Sequence, residues 1–285
     1  MDVSTAFEVV ETSIFIIFIS TNQLIMNRLT QLFKQKKANI LNVYFTAGYP
    51  KLADTEGVIF ALDKAGVDLI ELGMPYSDPL ADGPTIQESG SKALENGMNL
   101  NLLFEQVKNA RKNTKIPLIL MGYYNQVMQY GDDKFFKKCA EVGVDGLILP
   151  DLPLPVYEAQ YQKKLADLDL KISFLITPQT PTDRIRKIDK LTTGFVYVVS
   201  SYAITGSTTG ITAEQIAYFK RIEAMKLKNP RLIGFGISDK TTFDIACAYA
   251  NGAIIGSAFI KALGRADTEG VSVEVATANF VAPIL

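Results

Sequence analysis

The sequence predicts an α/β fold, a (β/α)8 TIM barrel in one domain, with an extra helix before the first strand and another between the second and third. Three observations carry this. From residue 39 onward, short β-branched runs alternate with helical patterns. The runs are nearly all apolar, as expected of parallel strands covered on both faces. There are eight of them in a chain of 285 residues, a length that one large barrel uses up. A doubly wound open sheet is the alternative topology, and right-handed crossovers hold for either.

Taken in order, Asn27–Lys37 reads as a helix that covers the barrel bottom. The strands are Ile40–Phe45, Asp68–Gly73, Pro117–Met121, Gly146–Leu149, Lys171–Ile176, Gly194–Val199, Arg231–Gly234 and Gly252–Ile255. Between the first two, Asp54–Ala65 has apolar positions at Val58, Ile59, Leu62 and Ala65, a helical spacing. After the second strand a long loop leads into a helix starting near Thr85, and Asn99–Lys112 is the extra helix. Asp132–Val142, Thr182–Leu191, Ala213–Met225 and Thr241–Ala250 follow. Thr182–Leu191 opens on a Thr-Pro-Thr-Asp start signal. Three helices close on similar phrases, Ala65-Gly66-Val67-Asp68, Val142-Gly143-Val144-Asp145 and Ala250-Asn251-Gly252-Ala253, where glycine is expected as a left-handed C-cap. The fold of the tail after Lys261 is left open.

Residues 1–25 read as an N-terminal extension, disordered or non-native, ahead of a catalytic domain at 26–285. The run Ser13–Ser20 is strongly apolar but too short to span a bilayer, and the first basic residue is Arg28.

Composition narrows the chemistry. Hydrophobic residues make up 48% and charged residues 21%, enough for a large core. The net charge of −1 gives no reason to expect nucleic acid or a membrane as partner. There is no histidine, so the usual general base and metal ligand are missing and Ser-His-Asp mechanisms are excluded. Cys139 and Cys247 are far apart in helical patterns, as expected of structural thiols in a reducing cytoplasm. No metal site is expected. Acid–base work falls to Asp, Glu, Lys or Tyr.

Barrel active sites gather at the C-terminal ends of strands. The second strand runs into Glu71-Leu-Gly-Met-Pro-Tyr-Ser-Asp-Pro-Leu-Ala-Asp-Gly-Pro-Thr-Ile-Gln87, a stiff segment with three prolines and three carboxylates besides its two glycines. A lone Glu71 at a buried strand end is costly unless it works, and a desolvated carboxyl with raised pKa suits proton transfer near neutral pH. Asp82 has a plainer reading as a helix cap, and Asp78 before Pro79 as a turn initiator. Tyr197 has a plainer reading as core. The seventh and eighth strands end in Gly234-Phe235-Gly236 and Gly256-Ser257, where backbone N–H groups can approach a phosphate; the plainer reading is tight turns that need glycine. Lys171 begins a strand and no lysine ends one, which disfavours a Schiff base.

The run Glu71–Gln87 resembles the signature of the tryptophan synthase alpha chain family. The similarity continues through Thr46-Ala-Gly-Tyr-Pro50, Met121-Gly-Tyr-Tyr-Asn125, Pro150-Asp-Leu-Pro153, Thr205-Gly206, Gly234-Phe-Gly-Ile-Ser238 and Gly256-Ser257, over about residues 27–262. The resemblance implies a TIM barrel that cleaves indole-3-glycerol phosphate to indole and glyceraldehyde 3-phosphate, with no cofactor in this chain. It implies a beta chain partner holding pyridoxal phosphate, in an alpha2beta2 heterotetramer. Glu71 and Asp82 then match the catalytic pair, and Tyr197 a tyrosine that orients the glutamate. Tyr44, Tyr123, Ile148, Leu175 and Phe235 would line the indole slot. Gly206, Gly234, Phe235, Gly236, Gly256 and Ser257 would hold phosphate, and Thr205 would close over the aspartate. Pro75, Ser77, Asp78, Asn125 and Pro153 would face the partner. One departure is Ser200-Ser-Tyr-Ala-Ile-Thr-Gly206, which lacks the Arg and first Gly that many members carry. It leaves open a subunit that binds the phosphate ligand and switches its partner with little turnover alone. Another phosphate-binding barrel, an isomerase or synthase, is the third reading.

Overall fold

Parallel strands pair around a ring in the computed structural model, which describes residues 26–80, 82–200, 211–234 and 236–285. The strands are β1 (Ile40–Thr46), β2 (Leu69–Gly73), β3 (Leu118–Met121), β4 (Gly146–Ile148), β5 (Lys171–Ile172), β6 (Leu175–Ile176), β7 (Val196–Val199), β8 (Arg231–Gly234) and β9 (Gly252–Ile255). Their order is β5-β4-β3-β2-β1-β9-β8-β7-β6, every pair parallel. The two ends of that order, β5 and β6, are halves of the single strand expected at 171–176. Ser173 N–H donates to Leu147 O on one side and Tyr197 N–H to Phe174 O on the other, both at 3.0 Å, so the barrel closes through this broken strand. The break falls where Ser173 turns its hydroxyl to accept Phe195 N–H at 3.0 Å.

The helices are α1 (Arg28–Gln35), α2 (Asp54–Lys64), α3 (Pro84–Glu95), α4 (Leu100–Ala110), α5 (Tyr124–Tyr130), α6 (Asp132–Val142), then α7, built of Leu154–Val156, a π-helical turn Tyr157–Tyr161 and Gln162–Asp167. After these come α8 (Thr182–Leu191), α9 (Ala213–Ala224), α10 (Lys240–Cys247), α11 (Ser257–Thr268) and α12 (Val273–Val281). The tail after Lys261, whose fold the sequence left open, holds the second half of α11 and all of α12. α12 lies along α2, where a Cβ on Gly57 would come within 3.3 Å of Val273.

Alternation along the strands builds two cores. Leu41, Val43, Phe45, Ile70 and Leu72 face outward to the helices. Ile40, Leu69, Ile119, Ile148, Phe195, Tyr197, Val199, Leu232 and Ile254 face inward and fill the barrel. As expected, α1 stoppers the bottom: Leu29 and Phe33 join the inner cluster, and Phe33 packs on Phe195 with ring centroids 5.9 Å apart. Asn27 both caps and anchors this helix. Its Oδ1 accepts Leu29 N–H at 3.0 Å, and its Nδ2 donates to the Asp145 and Asp169 carbonyls at 3.0 and 2.8 Å.

The repeated C-cap phrase divides in two. Gly66 and Gly143 have φ of 87° and 86°, the left-handed caps expected. Gly252 is a strand residue instead. A Cβ there would sit 2.0 Å from the Ile40 carbonyl oxygen, so its glycine serves close backbone approach.

Candidate active site

Glu71 is the middle residue of β2, paired in register with Tyr44 of β1 and Ile119 of β3. The strand alternation that turns Leu69 inward turns Glu71 inward too. Its side chain is fully buried. Among the described residues Oε2 accepts one hydrogen bond, from Asn42 Nδ2 at 3.0 Å, and Oε1 is buried without a partner. Burial pushes the carboxyl up to about 8, and the Asn42 amide pulls weakly the other way. At neutral pH Glu71 therefore holds its proton. Asn42 is the residue that the sequence reasoning missed. Its signal was there: an asparagine on the inward phase of β1, two residues from Tyr44, is the odd polar member of an apolar strand.

Asp82 sits in the loop before α3. Its plainer reading as a cap fails, since Gly83 is the N-cap and no side chain bonds there. Its carboxylate instead accepts the Tyr123 hydroxyl at Oδ2, 3.0 Å away. Its backbone is held by Asp82 N–H to Pro79 O and by Gln87 Nε2 to Asp82 O, at 3.0 and 2.9 Å. Burial raises its pKa while the tyrosine hydrogen bond lowers it. Asp78 O accepts Leu80 N–H at 2.9 Å, which fits the turn reading.

Above the inner core a cleft opens between Tyr44, Ile86, Asp82, Met121, Tyr123 and Pro150. Tyr76 stacks on Tyr123 at 5.0 Å beside it. Glu71, Ile148, Leu175 and Tyr197 are not at its surface. Ile148 and Tyr197 belong to the inner cluster, and Leu175 packs against it. Tyr44 is the cleft residue next to Glu71. Burial holds the Tyr44 and Tyr197 phenols above their ordinary pKa, with Asp82 the next cause for Tyr44 and Glu71 for Tyr197. Both are therefore neutral hydrogen-bond donors beside the carboxyl groups. Each has its space reserved by a glycine. A Cβ on Gly73 would lie 2.1 Å from the Tyr44 hydroxyl, and one on Gly234 2.3 Å from that of Tyr197.

The glycines after β8 and β9 differ in kind. Gly236 has φ of 77°, so the turn explains it; Gly234 is explained by Tyr197. Gly256 has φ of −121° and precedes α11, whose N-terminus at Ser257 has no side-chain cap. By contrast the α10 N-terminus is filled by Asp239, which accepts Thr242 N–H at 2.9 Å. Of these two N-termini, that of α11, beside an exposed Ser257, has no side-chain cap among the described residues. Thr205, Gly206 and Phe235 lie outside the described residues.

The residues expected at the partner face are connected. Gln126 Nε2 donates to Pro75 O at 2.9 Å, and Asn125 Nδ2 to the Tyr76 hydroxyl at 2.8 Å, which ties the β2 loop to α5. Ser77 Oγ donates to Asp78 Oδ2 at 2.5 Å. Ser77, Asp78 and Pro153 are exposed, and Leu80 is 88% exposed. Asp151 Oδ1 accepts Tyr124 N–H at 2.8 Å, which caps α5 from the β4 loop.

A family model described as tryptophan synthase alpha chain matches residues 29–282. The chain is 55% identical over 247 residues to the tryptophan synthase alpha chain of Flavobacterium psychrophilum, covering 87% of this chain and 97% of the relative. That of Parabacteroides distasonis is 53% identical, with 87% and 97% covered. Among solved structures, a tryptophan synthase alpha chain from Legionella pneumophila superposes with a TM-score of 0.82 at 31% identity, covering 91% of this chain and 96% of that one. A chain of a tryptophan synthase complex from Pyrococcus furiosus gives 0.78 at 34% identity, covering 87% and 98%.

Proposed function

The chain belongs to the tryptophan synthase alpha chain family, and from that premise we propose that its buried carboxyl pair, Glu71 and Asp82, carries the family's lyase reaction. The observation that supports this most is chemical. Glu71 is an acid with a pKa near 8, buried in a barrel and held by one neutral amide. A side chain of that kind holds a proton at pH 7 and can both give and regain it.

The substrate is indole-3-glycerol phosphate. Protonated Glu71 gives its proton to indole C3, which leaves positive charge on the ring nitrogen. The carbon–carbon bond then breaks, and its electron pair restores the aromatic ring. The former glycerol hydroxyl becomes the carbonyl of glyceraldehyde 3-phosphate, and its proton returns to the Glu71 carboxylate. No proton is gained or lost overall. Asp82, ionised, accepts the indole N–H and stabilises the ring charge where it develops. Tyr123 fixes that carboxylate from one side. Tyr44, Tyr123, Ile148, Leu175 and Phe235 would line the indole slot, with Tyr197 orienting Glu71. The phosphate would rest on the α11 N-terminus at Gly256 and Ser257, with Gly206, Gly234, Phe235 and Gly236 around it and Thr205 closing over Asp82. We assign this step to side chains alone and the pyridoxal phosphate to the beta chain.

The beta chain would dock on Pro75, Ser77, Asp78, Asn125 and Pro153, and indole would pass to it for tryptophan biosynthesis. Residues 26–285 would form the catalytic domain and residues 1–25 an extension dispensable for it. No helix among the described residues is long and apolar enough to cross a membrane, and a cytoplasmic setting suits the reaction. An indole-release assay on the purified chain tests the reading, and no indole with or without a beta chain would end it. A second reading has an observation of its own: Glu71 lies beneath the cleft rather than on it. On that reading the partner must loosen the Pro75–Asp78 loop before turnover. A beta chain that leaves kcat unchanged would dismiss it.

A further inference from the structure

The opposite end of the barrel holds a second opening that the lyase chemistry does not use. It is an open cavity of about 990 Å³, mouth included, between α1 and the N-terminal ends of β7, β8 and β9. Its apolar wall is Leu29, Phe33 and Leu227, and its cationic groups include Lys34, Lys228 and Arg231. Among the described residues no carboxylate lines it.

Several of its polar groups have ordinary explanations. Lys37 Nζ donates to the Phe33 carbonyl and finishes the α1 C-terminus. Asn251 is spent on Arg231 N–H and Lys37 O, at 2.9 and 2.7 Å. Lys34 suits the last turn of α1 by charge alone. Arg231 has no such account. Its Nη1 is buried with no hydrogen-bond partner among the described residues. Glu223 and Asp189 act on its charge from a distance, but neither forms an ion pair with it among the described residues. Asp189 is already committed, since its oxygens accept Lys228 N–H at 2.8 Å and Asn229 N–H at 2.9 Å. A buried guanidinium N–H with no acceptor is costly, and Arg231 lines one cavity with Lys34 and Lys228, whose ammonium groups form no ion pair among the described residues, a set of cations suited to an oxyanion.

We propose that the N-terminal mouth of the barrel is a second binding site, for a small organic oxyanion with a compact apolar body, held by Arg231, Lys34 and Lys228 against Leu29 and Phe33. The oxyanion takes the arginine fork, and the apolar body covers the end of the inner core. Phosphate monoesters and aromatic carboxylates share this chemistry, so phenyl phosphate and benzoate are the probes.

The test is an amide NMR titration of the whole chain with each probe. Saturable shifts are expected at Gly194, Asn229 and Asn251, which ring the cavity, independently of shifts at Gly236 and Gly256 on the other face. Arg231→Met should weaken this binding by about tenfold or more. Because a strand-end change can disturb folding, the Lys34→Ala/Lys228→Ala pair, at exposed positions, should also weaken it by about tenfold while the rest of the spectrum stays fixed. The proposal fails if neither probe moves the cavity amides, or if the variants bind as the parent does. It also fails if only Gly236 and Gly256 respond.

Discussion

Glu71 and Asp145 are both fully buried carboxyl groups on neighbouring parts of one sheet, burial raises the pKa of each, and they differ in the partners set against it. Asp145, just before β4, is surrounded by donors. Arg28 Nε lies 3.0 Å from Oδ1, and Arg111 Nη2 and the Leu118 N–H lie 2.7 and 2.9 Å from Oδ2. It ties α1, α4 and β3 to β4 at the end of the barrel away from the cleft. Glu71 has Asn42 and no cation. In the first arrangement burial still raises the Asp145 pKa, but Arg111, Arg28 and the Leu118 N–H offset part of that cost and lock the fold. The second leaves a carboxyl destabilised as an ion, so that it keeps a proton to give. Pairing marks structure here, and its lack marks chemistry.

Glu71→Gln is the sharpest way to break that contrast. Loss of a general acid–base group should lower kcat by about 10²–10⁴-fold, measured as indole release. Stability should move the other way. Below pH 4.5, the ordinary value, folded and unfolded chains both hold the Glu71 proton. Between there and about 8 the unfolded chain loses it and the folded chain keeps it, so this group's contribution to stability falls as pH rises and levels off above about 8. Chemical denaturation of Glu71→Gln across that window should be flatter than that of the parent and no weaker at its alkaline end. A variant less stable than the parent at pH 8 would place Glu71 with the structural carboxylates.

Asp145→Ala should show the mirror image. Removing one member of a buried ion cluster leaves Arg28 and Arg111 uncompensated and should cost about 3–5 kcal/mol in denaturant unfolding. The folded fraction should keep its kcat. A large loss of kcat with intact stability would contradict the structural assignment.

Asp82→Asn falls between the two. It removes charge that matters when the indole ring is positive, and should lower kcat by about 10²–10³-fold with KM little changed. The Tyr123 hydroxyl can still donate to the amide oxygen, so the loop should hold and the melting temperature should barely move. If KM rises while kcat stays, Asp82 binds the ground state rather than the transition state.

The sequence made the inner architecture legible where local rules decide. Apolar runs bounded by Gly66 and Gly143 marked strand starts, and the Glu71–Gln87 segment announced itself by its carboxylates. What was illegible came from tertiary partners. α5 has an unremarkable Tyr-Asn-Gln start because its cap, Asp151, arrives from the β4 loop. α7 hides behind Pro155, which a first helical turn tolerates, and then carries a π turn. The broken strand at Ser173 depends on a hydroxyl bond to the next strand. Gly234 has a further duty that its sequence context did not show, since its missing Cβ makes room for Tyr197. Asn42 needed the strand phase and its neighbour together before its meaning was visible.

Asn42 gives the smallest and most discriminating test. It is the donor on Glu71 and stands on the inward phase of β1, so it is a positioning residue rather than a catalytic one. Its hydrogen bond favours the ionised carboxyl and so holds the Glu71 pKa down. Asn42→Val removes that donor and should move the pKa further above 8. Activity requires protonated Glu71 at the start, so the alkaline fall in kcat/KM should shift to higher pH. The maximum should drop by about tenfold, the worth of one hydrogen bond to a charged group, because the returning proton meets a worse-placed carboxylate. Asn42→Gln should recover part of the original pH profile if a donor at that place is what counts. An unchanged alkaline limb, with only the unfolding curve displaced, would return Asn42 to the core and leave Glu71 positioned by the strand alone.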